Sequence, residues 1–164
     1  MTRTYQGKYK IKNPEKYAGD PNNVVYRSMW EKNVMRFLDE NTDVIGWSSE
    51  EIVIPYYYDV DKRYHRYFPD FAVKWKNGKT SLIEVKPNKE TRPPKGNKRT
   101  KRYINEALTY VKNENKWEAA KEYCADRKWE FLIWTEVELE AMGINKKPIK
   151  KLKPLKPYSR KKTK

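Results

Sequence analysis

The stretch HRYFPDFAVKWKNGKTSLIEVKP, His65 to Pro87, reads as one β-hairpin, with aromatic and β-branched residues on either side of Asn77-Gly78. Its arms are expected at 64–75 and 80–86. Side chains alternate along a strand, so Leu82, Glu84 and Lys86 share one face of the second arm and Ile83 and Val85 share the other. On this reading Ile83 and Val85 are buried, while Glu84 and Lys86 project together. The turn decides whether Asp70, just after Pro69 on the first arm, joins them. A two-residue loop at Asn77-Gly78 sets Asp70 opposite Val85, on the wrong face. A three-residue loop at Lys76-Asn77-Gly78, with Gly78 left-handed, sets Asp70 directly opposite Glu84. The second arrangement, or an equivalent bulge, is the expectation.

Two carboxylates at opposite positions on one sheet face repel unless something positive lies between them. Mg²⁺ suits the place, because it takes one or two carboxylates and completes its shell with water and phosphate oxygen. A neighbouring lysine then orients or deprotonates an attacking water, or stabilises charge that develops on the phosphate. This chemistry needs neither histidine nor cysteine. That matters because the chain has one of each, His65 and Cys124, which excludes an internal disulfide, a cysteine zinc site and a multi-histidine cluster. The plainer alternative is a cross-strand salt bridge between Lys86 and either acid, worth little.

A length of 164 residues suits one domain with flanking segments. With 36% of residues charged and no apolar run long enough for a bilayer span or a signal peptide, the composition points to an intracellular chain that enters no membrane. The formal charge is +15, and it is concentrated. Residues 146–164 hold ten Lys or Arg and no acid, and residues 86–102 hold eight basic residues and one acid, leaving the rest of the chain close to neutral. Such Pro- and Lys-rich segments suit a polyanion that releases counterions on binding, which points to nucleic acid. Lys95, Lys98, Arg99, Lys101 and Arg102 are the candidate DNA contacts of the inner segment. The solubilising tail is the alternative for a charge run alone.

Residues 1–25 read as an irregular N-terminal arm that docks through its tyrosines, 26–145 as the folded domain and 146–164 as a basic tail. Trp30, Val34, Phe37 and Leu38 recur at helical spacing behind Ser28 and Glu31, which have capping-box spacing. Residues 43–60 read as two strands or one bent strand, with Pro55 hinting at an edge. Helical spacing returns in Ile104, Leu108 and Val111 and again in Trp117, Ala120 and Cys124, over 101–127. A short apolar strand, WEFLIWTE, precedes a final helix capped by Thr135 and Glu138. The order α-β-β-β-β-α-β-α predicts an α/β fold, a mixed β-sheet flanked by helices. Arg27 either pairs with Glu50 or Glu51 or meets a phosphate, with the pairing favoured. His65 reads as a packing or DNA-facing residue and Cys124 as core.

Pro69-Asp70 with Glu84-Val85-Lys86 resembles the PD-(D/E)xK nuclease signature. The likeness implies a restriction-endonuclease-like core. A wider span, GDPNNVVYRSMWEKNVMRFLD, WSSEEIVIPYYYDVDKRYHRYFPDF and EVKP, resembles the head-completion proteins of T4-type bacteriophages, which themselves resemble the endonuclease subunit of Tn7-like transposition. The resemblance implies that Asp70 and Glu84 bind Mg²⁺ (with Mn²⁺ as a substitute), that Glu31 completes the acidic cluster and that Lys86 is the catalytic lysine. Glu31 also has a complete structural role in the capping box. The implied substrate is double-stranded DNA, the implied partners are phage capsid or portal proteins, and the implied locations are the virion and the infected host cytoplasm. A non-catalytic DNA-binding virion protein that retains the nuclease fold is the competing expectation.

Overall fold

A computed structural model describes residues 6–145; the basic tail at 146–164 lies outside the described residues. The hairpin of β6 (Phe71–Trp75) and β7 (Thr80–Val85) is its centre. Phe71 pairs with Ile83, Val73 with Ser81 and Lys74 with Thr80. The Trp75 N–H donates to the Lys79 carbonyl (2.9 Å), which leaves Lys76-Asn77-Gly78 as a three-residue loop. Gly78 has a φ of 87°, a conformation costly for residues with a Cβ. The ladder ends at Phe71–Ile83, and Asp70 and Glu84 are the next positions on the two arms, as the three-residue loop requires.

Around it the strands run β3-β6-β7-β8, with β3 (Val44–Ser49) antiparallel to β6, and β8 (Glu130–Trp134) parallel to β7. The long helix α2 (Lys101–Arg127) makes the crossover between these parallel strands. On one face lie α1 (Met29–Glu40) and α3 (Glu136–Ala141), where Val34, Met35, Leu38 and Leu139 meet Phe71, Val73 and Ile83. Trp117, Ala120 and Cys124 of α2 cover the other face, over Leu82. The sheet is therefore buried on both sides. This corrects the expectation that the Leu82–Glu84–Lys86 face projects: α2 lies over it, Leu82 is fully buried and Glu84 is 8% exposed.

The first hairpin arm is also not one strand. It breaks at Phe68-Pro69-Asp70 into β5 (Arg63–Tyr67) and β6, and β5 pairs with β4 (Ile54–Tyr58) as a separate two-stranded ribbon. Pro69 has no N–H for a ladder and restricts Phe68, which accounts for the break. The inner face of the ribbon, Tyr56, Tyr58 and Tyr67, packs on α2 in the same cluster as Trp117. His65 belongs there: its ring stacks on Tyr56 with centroids 5.6 Å apart, and its Nε2 lies 2.6 Å from Asp61 Oδ2. Cys124 is in the core, 2% exposed.

In α2, helical spacing does not translate into one continuous buried face. Trp117, Ala120 and Cys124 are buried, but Ile104 and Leu108 are 49% and 40% exposed. A helix of 27 residues is about 40 Å long, and its first turns have no sheet beneath them.

The N-terminal segment is more ordered than an irregular arm. β1 (Gly7–Lys8) pairs with β2 (Val25–Tyr26), and Tyr17 packs edge-on against Trp47 at 4.8 Å. Its anchor is Asp39, which is fully buried at the end of α1. The Asp39 carboxylate accepts the Lys12 and Asn13 backbone N–H groups at 2.8 and 3.0 Å and the Tyr9 hydroxyl at 3.2 Å. Asp39→Ala strands these donors, and chemical denaturation is expected to show a loss of about 2–3 kcal/mol.

Candidate active site

Asp70 stands where the β6–β7 ladder ends. Its Oδ2 accepts the Val85 N–H (2.8 Å), so the carboxylate closes the last rung, and its own carbonyl accepts the Glu50 N–H at 3.2 Å. Glu84, opposite, is held by the end of the ribbon: the Tyr67 hydroxyl donates to Glu84 Oε2 at 2.6 Å in a buried contact. Lys86 follows β7, its N–H fixed to the Trp134 carbonyl at 3.0 Å, and its Nζ is 3.9 Å from Glu84 Oε1, beyond hydrogen-bond reach. Glu31 enters from the first turn of α1. Its N–H donates to the Ser28 Oγ cap at 3.1 Å, but its carboxylate accepts the Arg27 N–H (2.9 Å) rather than that of Ser28, so the reciprocal half of the expected capping box is missing.

The electrostatics join these four residues. Burial, and after it the Glu84 charge, push Asp70 well above the usual carboxylate range; Glu31 adds to the rise and Lys86 opposes it. Glu84 is raised by burial, against the Tyr67 hydrogen bond and the charges of Lys86 and Lys116. Glu31 is raised by burial, with Glu50 adding to it. Burial is thus the first cause at each of the three, and a neighbouring acid adds to it at each.

Three further residues take part that the sequence reading did not place here. Tyr67 orients Glu84, Lys116 brings a cation from α2, and Glu50 sits at a left-handed φ of 54° beside Asp70. Arg27 grips Glu50 through two contacts of 3.2 Å, the favoured pairing, and its charge is felt at Glu31 and Asp70. The non-glycine φ of Glu50 is the kind of strain that clusters at functional sites. Alternation within HRYFPD marks Tyr67 only as an inward strand residue, and its contact with Glu84 depends on how the ribbon folds back.

Glu84 Oε1 and Asp70 Oδ1 accept no hydrogen bond among the described residues, so each carboxylate has an oxygen to offer. Two carboxylates that each offer one oxygen suit Mg²⁺, which completes its shell with water and phosphate oxygen. No group of three His, Cys, Asp or Glu side chains gathers as a metal cage among the described residues. Asp70, Glu84 and Glu31, expected to form one acidic cluster, are thus not gathered into a three-carboxylate cage.

Lys95, Lys98, Arg99, Lys101 and Arg102 are all exposed on the segment that leads from Lys86 into α2. Arg102 is tied to Glu106 at 3.0 Å, and the other four make no ion pair among the described residues. A cleft of about 690 Å³ opens between this segment and α2, lined by Lys89, Arg92, Lys95, Arg102 and Tyr110. Asp70, Glu84 and Glu31 lie outside its lining.

Residues 41–136 match the family described as TnsA-like endonuclease N terminal, a span that contains Asp70, Glu84 and Lys86 and leaves Glu31 outside. The chain is also 42% identical over 145 residues to the head completion nuclease of Enterobacteria phage T4, covering 85% of this chain and 97% of that protein. With more than half of its length matched by the first and nearly all of the second aligned to it, the chain belongs to the TnsA-like endonuclease family and to that of the phage T4 head completion nuclease.

Proposed function

We propose that this protein is a divalent-metal-dependent endonuclease that cuts double-stranded DNA during completion of filled phage heads. The observation that carries the reading is the juxtaposition of Asp70 and Glu84 at the open end of one hairpin, with Lys86 one strand step away. The relatives' names, an endonuclease domain and a head completion nuclease, support the reaction class and the setting. Phage capsid or portal proteins are the partners this role implies, with the virion and infected host cytoplasm as the places of action. No helix among the described residues is long and apolar enough to cross a membrane.

Asp70 Oδ1 and Glu84 Oε1 are the oxygens that would hold Mg²⁺, with Mn²⁺ as a substitute. When bound, the metal supplies Lewis-acid chemistry at the scissile phosphate. The chain supplies the rest. Tyr67 and the Val85 N–H each occupy the second oxygen of one carboxylate, which fixes both groups before DNA arrives. Lys86 Nζ orients the attacking water and stabilises charge that develops on the phosphate. Lys95, Lys98, Arg99 and Lys101 hold the duplex through its backbone, independently of sequence.

The test is nicking or linearisation of supercoiled plasmid by EDTA-treated protein. Activity is expected to appear on addition of Mg²⁺ or Mn²⁺ and to stop with chelator. Protein that shifts DNA in a gel yet cuts with neither metal would instead be a DNA-binding component of the particle.

A further inference from the structure

Beside the acidic centre, α2 presents two lysines that make no ion pair among the described residues, although the charge of Lys116 is felt at Glu84. Lys116 Nζ lies 5.6 Å from the centre of the Tyr67 ring and 5.9 Å from that of Tyr56, and Lys112 Nζ lies 5.0 Å from the Tyr58 ring. Both side chains are half-buried, and neither makes an ion pair among the described residues. The sequence offers none within the helix either: one turn away from Lys112 are Leu108, Thr109 and Asn115, and one turn from Lys116 are Asn113, Ala119 and Ala120. Instead the two are neighbours in an i,i+4 pair of like charge, an arrangement that destabilises an isolated helix. Tyrosine faces attract a cation without occupying its N–H donors, so both ammonium groups keep donors for an anion.

The row has a direction. The ring that carries Lys116 belongs to the tyrosine whose hydroxyl holds Glu84, so Lys116 stands one aromatic ring from the acidic centre. Lys112 lies about 6 Å farther along the helix axis, over Tyr58, the next inward tyrosine of the ribbon. With Lys86 at the centre itself, three cations lead outward along the seam between α2 and the ribbon, on residues separate from the 95–102 segment.

We propose that Lys116 and Lys112 form a second phosphate-binding track, which seats the backbone of the cut strand next to the scissile phosphate. The location of that phosphate rests on the nuclease reading; the track itself rests on the unpaired lysines. The partner is a nucleic acid backbone, because phosphates repeated along one strand match two cations set one helical turn apart and in line with the acidic centre.

The measurement is duplex affinity in EDTA over a salt series, for the wild type, Lys112→Met/Lys116→Met and Lys112→Arg/Lys116→Arg. Methionine keeps an unbranched stem over the rings and removes the charge. Two phosphate contacts predict that the slope of log affinity against log salt falls by about 1.8 in the methionine variant and stays at the wild-type value in the arginine variant. Thermal unfolding run in parallel is expected to show the methionine variant folded, at a melting temperature lowered by loss of the Lys116 charge that faces Glu84. A folded methionine variant with the wild-type slope would overturn the track, as would a wild type that binds no duplex at all. A wild type that binds with the predicted slopes but never cuts would overturn the nuclease reading and leave the track standing.

Discussion

Lys86→Ala is expected to slow single-turnover cleavage of duplex DNA by about 10²- to 10³-fold, the usual consequence of removing one preorganised donor from a charged transition state. Its affinity for duplex is expected to change little, because Lys86 is one cation among many that meet the backbone. Lys86 is pinned at the end of a parallel strand by its bond to the Trp134 carbonyl, and its side chain is 25% exposed, aimed at the Glu84 oxygen left free by Tyr67. A long, mobile surface lysine would not be held so. Cleavage rates and gel-shift affinities measured together check the split, and a parallel loss of both would reassign Lys86 to binding.

The second large effect concerns stability. Asp70→Asn is expected to raise the unfolding temperature of the metal-free protein at neutral pH by a few degrees, since about 1 kcal/mol moves a chain of this size by about 2–4 °C. Asparagine keeps an oxygen for the Val85 N–H and removes a charge that Glu84 and Glu31 oppose. The pH dependence follows from the direction of the shift. Asp70 binds its proton more tightly folded than unfolded, so its contribution is fully present below the ordinary value of 3.8 and is lost as pH rises towards the raised folded value. Metal-free wild type therefore loses stability across that rise, and Asp70→Asn lacks that part of the loss. Added Mg²⁺ is expected to restore the wild type at neutral pH by binding the folded state, with little effect on the variant. Thermal unfolding in EDTA and in Mg²⁺, at acid and neutral pH, checks both.

The hairpin was legible because its two signals are local. Alternation around IEVK sets Glu84 and Lys86 on one face, and Asn77-Gly78 marks the turn, although that dipeptide alone favours the two-residue loop. What selects the three-residue form is packing: it buries Phe71 and Val73 together with Ile83. The caps at Ser28 and Thr135 and the core role of Cys124 were equally local. The split of 64–75 was signalled by Pro69, but the fate of the detached strand was not, since β5 pairs with its chain neighbour β4 and the place of that ribbon against α2 is set by packing between segments far apart in sequence. For the same reason Tyr67 and Lys116 escaped a reading by motif. Each reaches the acidic centre only because the ribbon and α2 pack on the face of Glu84, and that same cover buries a strand expected to be open on one side. Ile104 and Leu108 mislead in the opposite sense, because helical spacing reports a face and not what lies beneath it.

The most direct test of the central claim is single-turnover cleavage of plasmid by Asp70→Asn in Mg²⁺, beside the wild type. This variant is the one whose failure cannot be ascribed to unfolding, since it is expected to be at least as stable as the wild type without metal. The account predicts duplex binding at wild-type strength and no product above the EDTA background. Cleavage by Asp70→Asn at the wild-type rate would place the active site somewhere other than the end of this hairpin.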